Sequence, residues 1–206
     1  TARRLMGGVG TSTAALGFGG TPPQTAKTEQ YDGSSWTEVG DLNAARSFAG
    51  MFGTQTSSIF AGGDIATGQS AANESWNGSA WTEVGDLNTA RDYVNGAGST
   101  TEGLAIAGRN PGVLAVVEYW NGSSWTEIND LSTARLDGGS AGSINSSFIA
   151  GGSLNNGTGT PFTTATEEFS TSGSTAVQEG QIWIKTADSA SSVIKGYAAQ
   201  GTGSWA

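Results

Sequence analysis

The 206-residue sequence contains no cysteine and no histidine. Disulfides are therefore impossible, and the thiolate and imidazole ligands that transition metals most often use in proteins are missing. An imidazole base for catalysis is missing as well. Lys and Arg together number nine against 18 Asp and Glu, which gives a net charge of −9. Because nucleic acids and anionic membrane surfaces require a basic footprint, we expect neither as a partner.

Long apolar runs are also missing, since none approaches the roughly 20 residues needed to span a bilayer. We therefore expect no membrane insertion. Glycine, by contrast, is abundant, with 33 residues, and aromatic residues make up 9% of the chain. This combination favours short strands joined by tight turns over a disordered chain.

An internal repeat organises the sequence. The string Trp-Thr-Glu occurs three times, 45 and 44 residues apart, and each copy continues through an acidic turn to an arginine. The chain itself opens with the same Thr-Ala-Arg ending. The repeated tryptophans are Trp36, Trp81 and Trp125, and the repeated arginines are Arg3, Arg46, Arg91 and Arg135.

Each repeat has a constant order of four short strand-like runs. A Gly- and Ala-bearing run follows the arginine, and an apolar run ending in small residues comes next, such as IFAGG at 59–63. A loop of variable length leads to a Glu-x-aromatic run, and the tryptophan run is last. Asp-Gly or Asn-Gly separates the last two runs in three repeats, which predicts a hairpin there.

A four-stranded unit of about 45 residues is typical of one blade of a β-propeller. The sequence therefore predicts an all-β chain of four antiparallel blades and a C-terminal β-hairpin segment. Predicted boundaries are 1–43, 44–88 and 89–132 for the first three blades, 133–175 for a degenerate fourth blade, and 176–206 for a C-terminal segment serving closure or assembly.

The order of these repeated residues resembles the kelch repeat. In that repeat an apolar strand ends in Gly-Gly and is followed by a Glu, an aromatic residue, a Trp and an Arg. Two repeats depart from it, with Ala107-Gly108 in the third and no Trp after Phe169 in the fourth. The fourth blade is therefore either capped differently or completed by another segment. The resemblance implies that the repeated Arg, Trp and Glu residues serve blade packing, the glutamates being Glu29, Glu74, Glu118 and Glu167.

Enzymatic activity is not expected, and no catalytic or metal-ligating residue is assigned. Kelch-type copper oxidases resemble this chain in blade pattern, but they need the missing His and Cys. The acidic residues recur once per blade, which suits turn chemistry better than paired catalytic carboxylates. Asp64, Asp92 and Asp137 lie near loops without the alternating ligands of a calcium loop, so we expect solvated turn carboxylates and no cofactor.

Four variable loops are the candidate binding elements, because they differ while the scaffold around them repeats. They follow the second run of each repeat, at 21–27, 64–72, 109–114 and 153–163. Within them, Arg109, Asn110 and Asn155 are the predicted polar contacts for a ligand.

The near-identical copies also resemble tandem kelch-like repeat proteins of marine bacteriophages. The segments EGQIWIK (179–185) and SSVIKGYAAQ (191–200) predict a hairpin and resemble the endings of phage tail and fibre proteins. This resemblance implies a virion protein for capsid decoration, a tail fibre or host attachment, with other virion proteins or a host-surface glycan or protein as partners. The alternative is a secreted or cell-surface bacterial adhesin.

Closure of the ring stays open at this point. Because the chain starts inside a repeat, we expect a preceding region in a longer protein. The four blades could instead close on themselves, or several chains could complete a ring as a homo-oligomer or larger assembly. Each solution would cover the strand edges and faces that an open array leaves exposed.

Overall fold

In three of the four blades the second strand ends directly before a pair of glycines that leave the extended conformation. In the run SSIFAGG, the strand covers Ser57–Ala61, and Gly62 and Gly63 then adopt φ of +71° and +108°. Residues with a side chain rarely tolerate these values. Ala107 takes the first of these two positions in the third repeat with φ +60°, so the missing glycine does not change the backbone there.

The computed structural model describes residues 2–156 and 161–170, together with the backbone of 182–186 and 192–194. All regular elements in these ranges are strands, so no described helix could cross a membrane. In chain order the strands are β1 Gly7–Gly10, β2 Ala15–Phe18, β3 Thr28–Tyr31, β4 Trp36–Glu38, β5 Gly50–Thr54, β6 Ser57–Ala61, β7 Asp64–Ile65, β8 Gly68–Gln69, β9 Asn73–Trp76, β10 Trp81–Val84, β11 Asn95–Gly98, β12 Gly103–Arg109, β13 Val113–Trp120, β14 Trp125–Ile128, β15 Gly139–Ser143, β16 Ser146–Ala150, β17 Thr166–Ser170, β18 Ile182–Thr186 and β19 Ser192–Ile194.

Four antiparallel sheets form the four blades of a β-propeller arrangement, as the sequence predicts. The first blade is β1–β4, the second is β5, β6, β9 and β10, and the third is β11–β14. The small hairpin β7–β8 lies in the variable loop of the second blade. Each blade starts at its inner strand and ends at its outermost strand, so every connection within a blade joins neighbouring strands.

The fourth blade is a five-stranded sheet in the order β15-β16-β17-β18-β19. Its fourth strand comes from the C-terminal part of the chain, and Trp183 pairs with Phe169 in the register. Trp81 pairs with Trp76 in the same way. A distant segment therefore supplies the tryptophan position that the fourth repeat lacks, the second of the two alternatives that the sequence leaves. This sheet extends beyond the predicted boundary at residue 175, and the pairing of β18 with β19 is the predicted hairpin.

Successive blades pack face to face. The inner strands β1, β5, β11 and β15 contact one another in that order, and three apolar clusters fill the spaces between neighbouring blades. No comparable packing joins β15 to β1, and no fourth cluster is present in the described ranges. The core of the described part of the chain therefore consists of three blade interfaces of one type.

The outer hairpins are present but differ in detail from the two-residue turn that Asn-Gly suggests. Trp76 pairs with Trp81, so four residues form the loop, and only Gly78 has positive φ among them. The Asn77 side chain instead accepts hydrogen bonds from the backbone N–H groups of Ser79 and Ala80, each at 3.0 Å. Asparagine thus acts here as a side-chain acceptor that closes the turn.

Candidate functional site

Each repeated arginine lies buried at the start of its blade. The Arg46 guanidinium donates to the carbonyl oxygens of Gly62 and Ala72 and to the Glu74 carboxylate, at 3.0, 2.5 and 2.7 Å. Its own carbonyl oxygen accepts a hydrogen bond from the N–H of Gly20 in the preceding blade. Arg46 therefore joins the loop-bearing strands of its own blade to the blade before it.

The repeated glutamates of the second, third and fourth blades hold the connection that arrives from the preceding blade. The Glu74 carboxylate accepts from the backbone N–H and the side-chain amide of Asn43, at 2.7 and 2.8 Å. Glu118 has the same arrangement with Asn88 and Arg91. Burial lowers the pKa of Arg46 and of Arg91 below the usual value for arginine, and the adjacent carboxylate opposes this shift in each case.

The remaining predicted pairs follow the same plan. Arg135 donates to Glu167 at 2.5 Å, and Arg3 lies 2.9 Å from Glu29. Burial lowers the pKa of Arg135 as well, with Glu167 opposing the shift. The structure therefore brings each predicted Arg together with the Glu of its own repeat.

The repeated tryptophans have two different environments. Trp81 and Trp125 lie between blades and are each 6% exposed, whereas Trp36 is 52% exposed. The Trp81 indole N–H donates to the Thr28 hydroxyl at 2.9 Å, and its ring packs edge-on against Phe18 of the preceding blade. In the described ranges no blade covers the corresponding face of Trp36.

Isolated β-bridges hold the variable loops beside the segments that lead into the inner strands. The bridges join Arg4 to Thr21, Ser47 to Asp64, Asp92 to Arg109 and Leu136 to Ser153. One end of the blades, the loop end, therefore carries all four loops and all four arginine-bearing connections.

A cavity of about 220 Å³ opens at the loop end and is lined by residues from all four blades. The second residue after each repeated arginine contributes to its wall, and all four of these residues have positive φ, between +53° and +57°. They are Leu5, Phe48, Tyr93 and Asp137. Backbone strain of this kind in residues with a side chain is common at ligand sites, but its recurrence in every blade shows that the blade geometry produces it here.

Arg109 lies beside this cavity in a fixed orientation. Its Nε donates to Asp92 Oδ1 at 3.0 Å and a terminal nitrogen donates to Oδ2 at 2.5 Å. The guanidinium carbon lies 4.7 Å from the centre of the Tyr93 ring, which in turn stacks on Phe48 at 4.0 Å. Asp92 is fully buried and pairs with Arg109, whose side chain is 23% exposed, so the expectation that Asp92 is a solvated turn carboxylate is wrong.

Two further carboxylates lie near the cavity. Burial raises the pKa of Asp64 and of Asp137 above the usual 3.8, and in each case the Asp92 charge adds to the shift. The Gln24 side chain of the first blade donates to the Asp64 carboxylate at 2.7 Å, which ties two neighbouring loops together. In the described part of the chain no group of three or more acidic residues could hold a metal ion.

Asn110 and Asn155 occupy loop turns. The Asn110 side chain donates to the carbonyl oxygen of Ala90 at 2.6 Å, and the Asn155 carbonyl oxygen accepts from the Ser153 hydroxyl at 3.2 Å. Both residues therefore contribute to loop shape, and their role in binding stays a prediction.

Sequence reasoning did not select Phe48 or Tyr93 as site residues. The signal that could have found them is positional: both are the second residue after a repeated arginine, in the middle of a three-residue stretch that varies among the blades. The loop end can offer a ligand aromatic faces, a guanidinium edge and two carboxylates within a small concave space. Neither protein-family models nor curated proteins match this chain.

Proposed function

We propose that this chain is a non-catalytic recognition module, a kelch-like propeller that binds a host-surface glycan or protein as a structural and attachment component of a bacteriophage virion. The observation that carries this proposal is that four dissimilar loops lie at the same end of the blades as a cavity lined by residues from all four blades. A rigid scaffold that repeats and a loop set that varies are typical of recognition surfaces.

The kelch assignment rests on the order of the repeated marks. Three features occupy equivalent positions in every blade. Small residues end or follow the second strand, a Glu lies on the third strand, and an Arg precedes the first strand. The bacteriophage assignment rests on the resemblance of the repeats and of 179–200 to phage proteins.

The chemistry of the loop end favours a neutral, polar ligand with flat apolar faces. The stacked Phe48 and Tyr93 rings provide an aromatic surface, and the Arg109 guanidinium is already neutralised by Asp92. A net charge of −9 disfavours polyanionic ligands. Sugar rings and polar protein loops meet these requirements.

Binding to host cells or to a glycan array tests the recognition function. Tyr93→Ala removes the central ring of the cavity wall, and we expect at least a tenfold loss of binding. Thr13→Ala is the matched control, because Thr13 lies exposed in the turn between β1 and β2, at the opposite end of the first blade. Thermal unfolding of both variants separates loss of binding from loss of fold. Equal binding by the two folded variants would contradict recognition at the loop end.

The virion assignment has its own test. Quantitative mass spectrometry of purified particles should find the chain at a fixed copy number. Its consistent absence from particles would overturn the assignment. Detection of the chain on the surface of a bacterial cell, together with binding of that cell to a host surface, would instead identify it as an adhesin.

A further inference from the structure

The repeated blade interface consists of two different halves. The front half, which faces the preceding blade, carries the outer-strand tryptophan, for example Trp81. The back half faces the following blade and carries Leu16, Phe18 and Thr28 in the first blade. In the first interface the Trp81 indole N–H donates to the Thr28 hydroxyl, whereas in the second interface the Trp125 indole N–H has no hydrogen-bond partner among the described residues.

The first blade has a front half that nothing in the described ranges covers. Its Trp36 ring lies 5.1 Å from Tyr31 at an interplanar angle of 34°, close to the 5.5 Å and 44° between Trp76 and Trp81. Trp36 is thus already placed as Trp81 is, yet it is 52% exposed. Because the equivalent Trp81 and Trp125 are buried against a preceding blade, the exposed Trp36 indicates a surface whose partner is missing from the described ranges.

The fourth blade has a back half that is open in the same way. Phe148 takes the register position of Leu16 and is 40% exposed, whereas Leu16 is fully buried. Thr166 takes the position of Thr28, since each pairs with the last residue of the second strand of its blade. The open back half therefore carries the acceptor that a front-half tryptophan uses in the first interface.

The inner strands show the same opening. A Cβ at Gly50 would lie 3.3 Å from the Cβ of Val94 in the following blade, whereas a Cβ at Gly139, the equivalent of Gly50, would meet nothing within 4 Å. Among the described residues, the back half of the fourth blade is therefore uncovered at Gly139 on the inner strand and at Phe148 on the second strand.

We propose that a second copy of this chain covers both open halves, so that two chains close head to tail into one ring of eight blades. The two faces are halves of an interface that the chain already forms three times, and each copy offers one of each. Trp36 then donates to Thr166 of the partner subunit. Two chains give eight blades, within the range of four to eight typical of propellers, and three chains would exceed it. This proposal is independent of the proposed function.

Engineered disulfides test the pairing, because the chain has no cysteine of its own. Met6 is the equivalent of Val94, so Met6→Cys on one copy should face Gly139→Cys on the other within the 3.5–4.5 Å that disulfide Cβ atoms need. The two single variants are mixed and oxidised, and non-reducing electrophoresis gives the mass. Gly50→Cys with Val94→Cys in one chain is the positive control, which should form its bond within the chain.

The proposal predicts that the oxidised mixture contains a disulfide-linked species of twice the chain mass. Either single variant alone should form much less of this species. The variant with both Met6→Cys and Gly139→Cys could instead form the bond within one chain, while the mixture forms none. That result would show that four blades close on themselves and would overturn the proposal. An uncrosslinked mixture that remains monomeric while the positive control closes would overturn it as well.

Replacement of the exposed tryptophan gives a second, independent readout. Trp36→Ser should weaken the two-chain assembly at least tenfold in analytical ultracentrifugation while the far-ultraviolet circular dichroism stays that of the parent. Phe162→Ser is the matched control, because Phe162 is also exposed but lies in a loop. Equal effects of the two substitutions on assembly would contradict the role of the Trp36 face.

Discussion

Replacement of a single buried carboxylate should separate the packing role of the repeated glutamates from a surface role. Glu118→Gln keeps the size of the side chain and one acceptor oxygen, but it removes the charge beside Arg91. The Glu118 carboxylate also accepts from two nitrogens of Asn88, each at 2.7 Å, and an amide cannot accept all of these bonds. The Arg91 charge then stays buried without its partner.

The structure sets the magnitude of this effect. Both side chains of the Arg91–Glu118 pair are completely buried, and loss of one partner from such a pair costs about 3–5 kcal/mol. The matched control is Glu38→Gln, which changes the net charge by the same amount. Glu38 pairs with Lys27 at 2.5 Å, but solvent screens this exposed pair, so we expect an essentially unchanged free energy of unfolding.

Urea unfolding followed by tryptophan fluorescence measures both variants, with the slope of the transition checked for each. We expect a large loss of stability for Glu118→Gln and none that can be resolved for Glu38→Gln. Equal changes in the two variants would refute the reasoning, because burial of the ion pair would then make no energetic difference.

Two further predictions concern packing and pH. Gly96→Ala would place a Cβ 2.5 Å from the Met51 carbonyl oxygen of the preceding blade, so we expect a loss of about 1–3 kcal/mol in urea unfolding. Gly112→Ala, whose Cβ meets nothing within 4 Å, should change stability by less than about 0.5 kcal/mol. Hydrogen bonds from Ser35 and Ser34 lower the pKa of Asp32. The parent should therefore be more stable than Asp32→Asn above pH 3.8, and it should lose this advantage as the pH falls from 3.8 towards the lowered pKa. Burial raises the pKa of Asp64, so the parent should instead gain stability relative to Asp64→Asn as the pH falls through the raised value towards 3.8. Unfolding curves between pH 2 and 7 check both signs, and shifts of the same sign in the two variants would contradict these assignments.

Local patterns predicted the strands well, because each blade is a meander whose pairings join runs close together in sequence. The run IFAGG became β6 with its two glycines beyond the strand end, and the Glu-x-aromatic runs became third strands. The hairpin at Asn77-Gly78 was also predictable. Its four-residue loop was not, because it depends on the Asn77 side chain accepting backbone hydrogen bonds.

Long-range features could not be predicted from these patterns. The fourth strand of the last blade comes from Ile182–Thr186, which no repeat spacing indicates. Asp92 is buried because Arg109 of the variable loop reaches it across a β-bridge, and Tyr93 lines the cavity because its backbone has positive φ. The origin of this strand, the burial of Asp92 and the position of Tyr93 depend on contacts between loops and blades. The residue pattern within one strand does not predict such contacts.

The contact between Trp81 and the preceding blade tests the account most directly, because these residues are 53 apart in sequence and meet only if blades stack as described. A double-mutant cycle of Trp81→Phe and Thr28→Val isolates the hydrogen bond between the indole and the hydroxyl. We predict a coupling free energy of about 0.5–1.5 kcal/mol. Additive effects of the two substitutions would contradict the stacking of blade on blade.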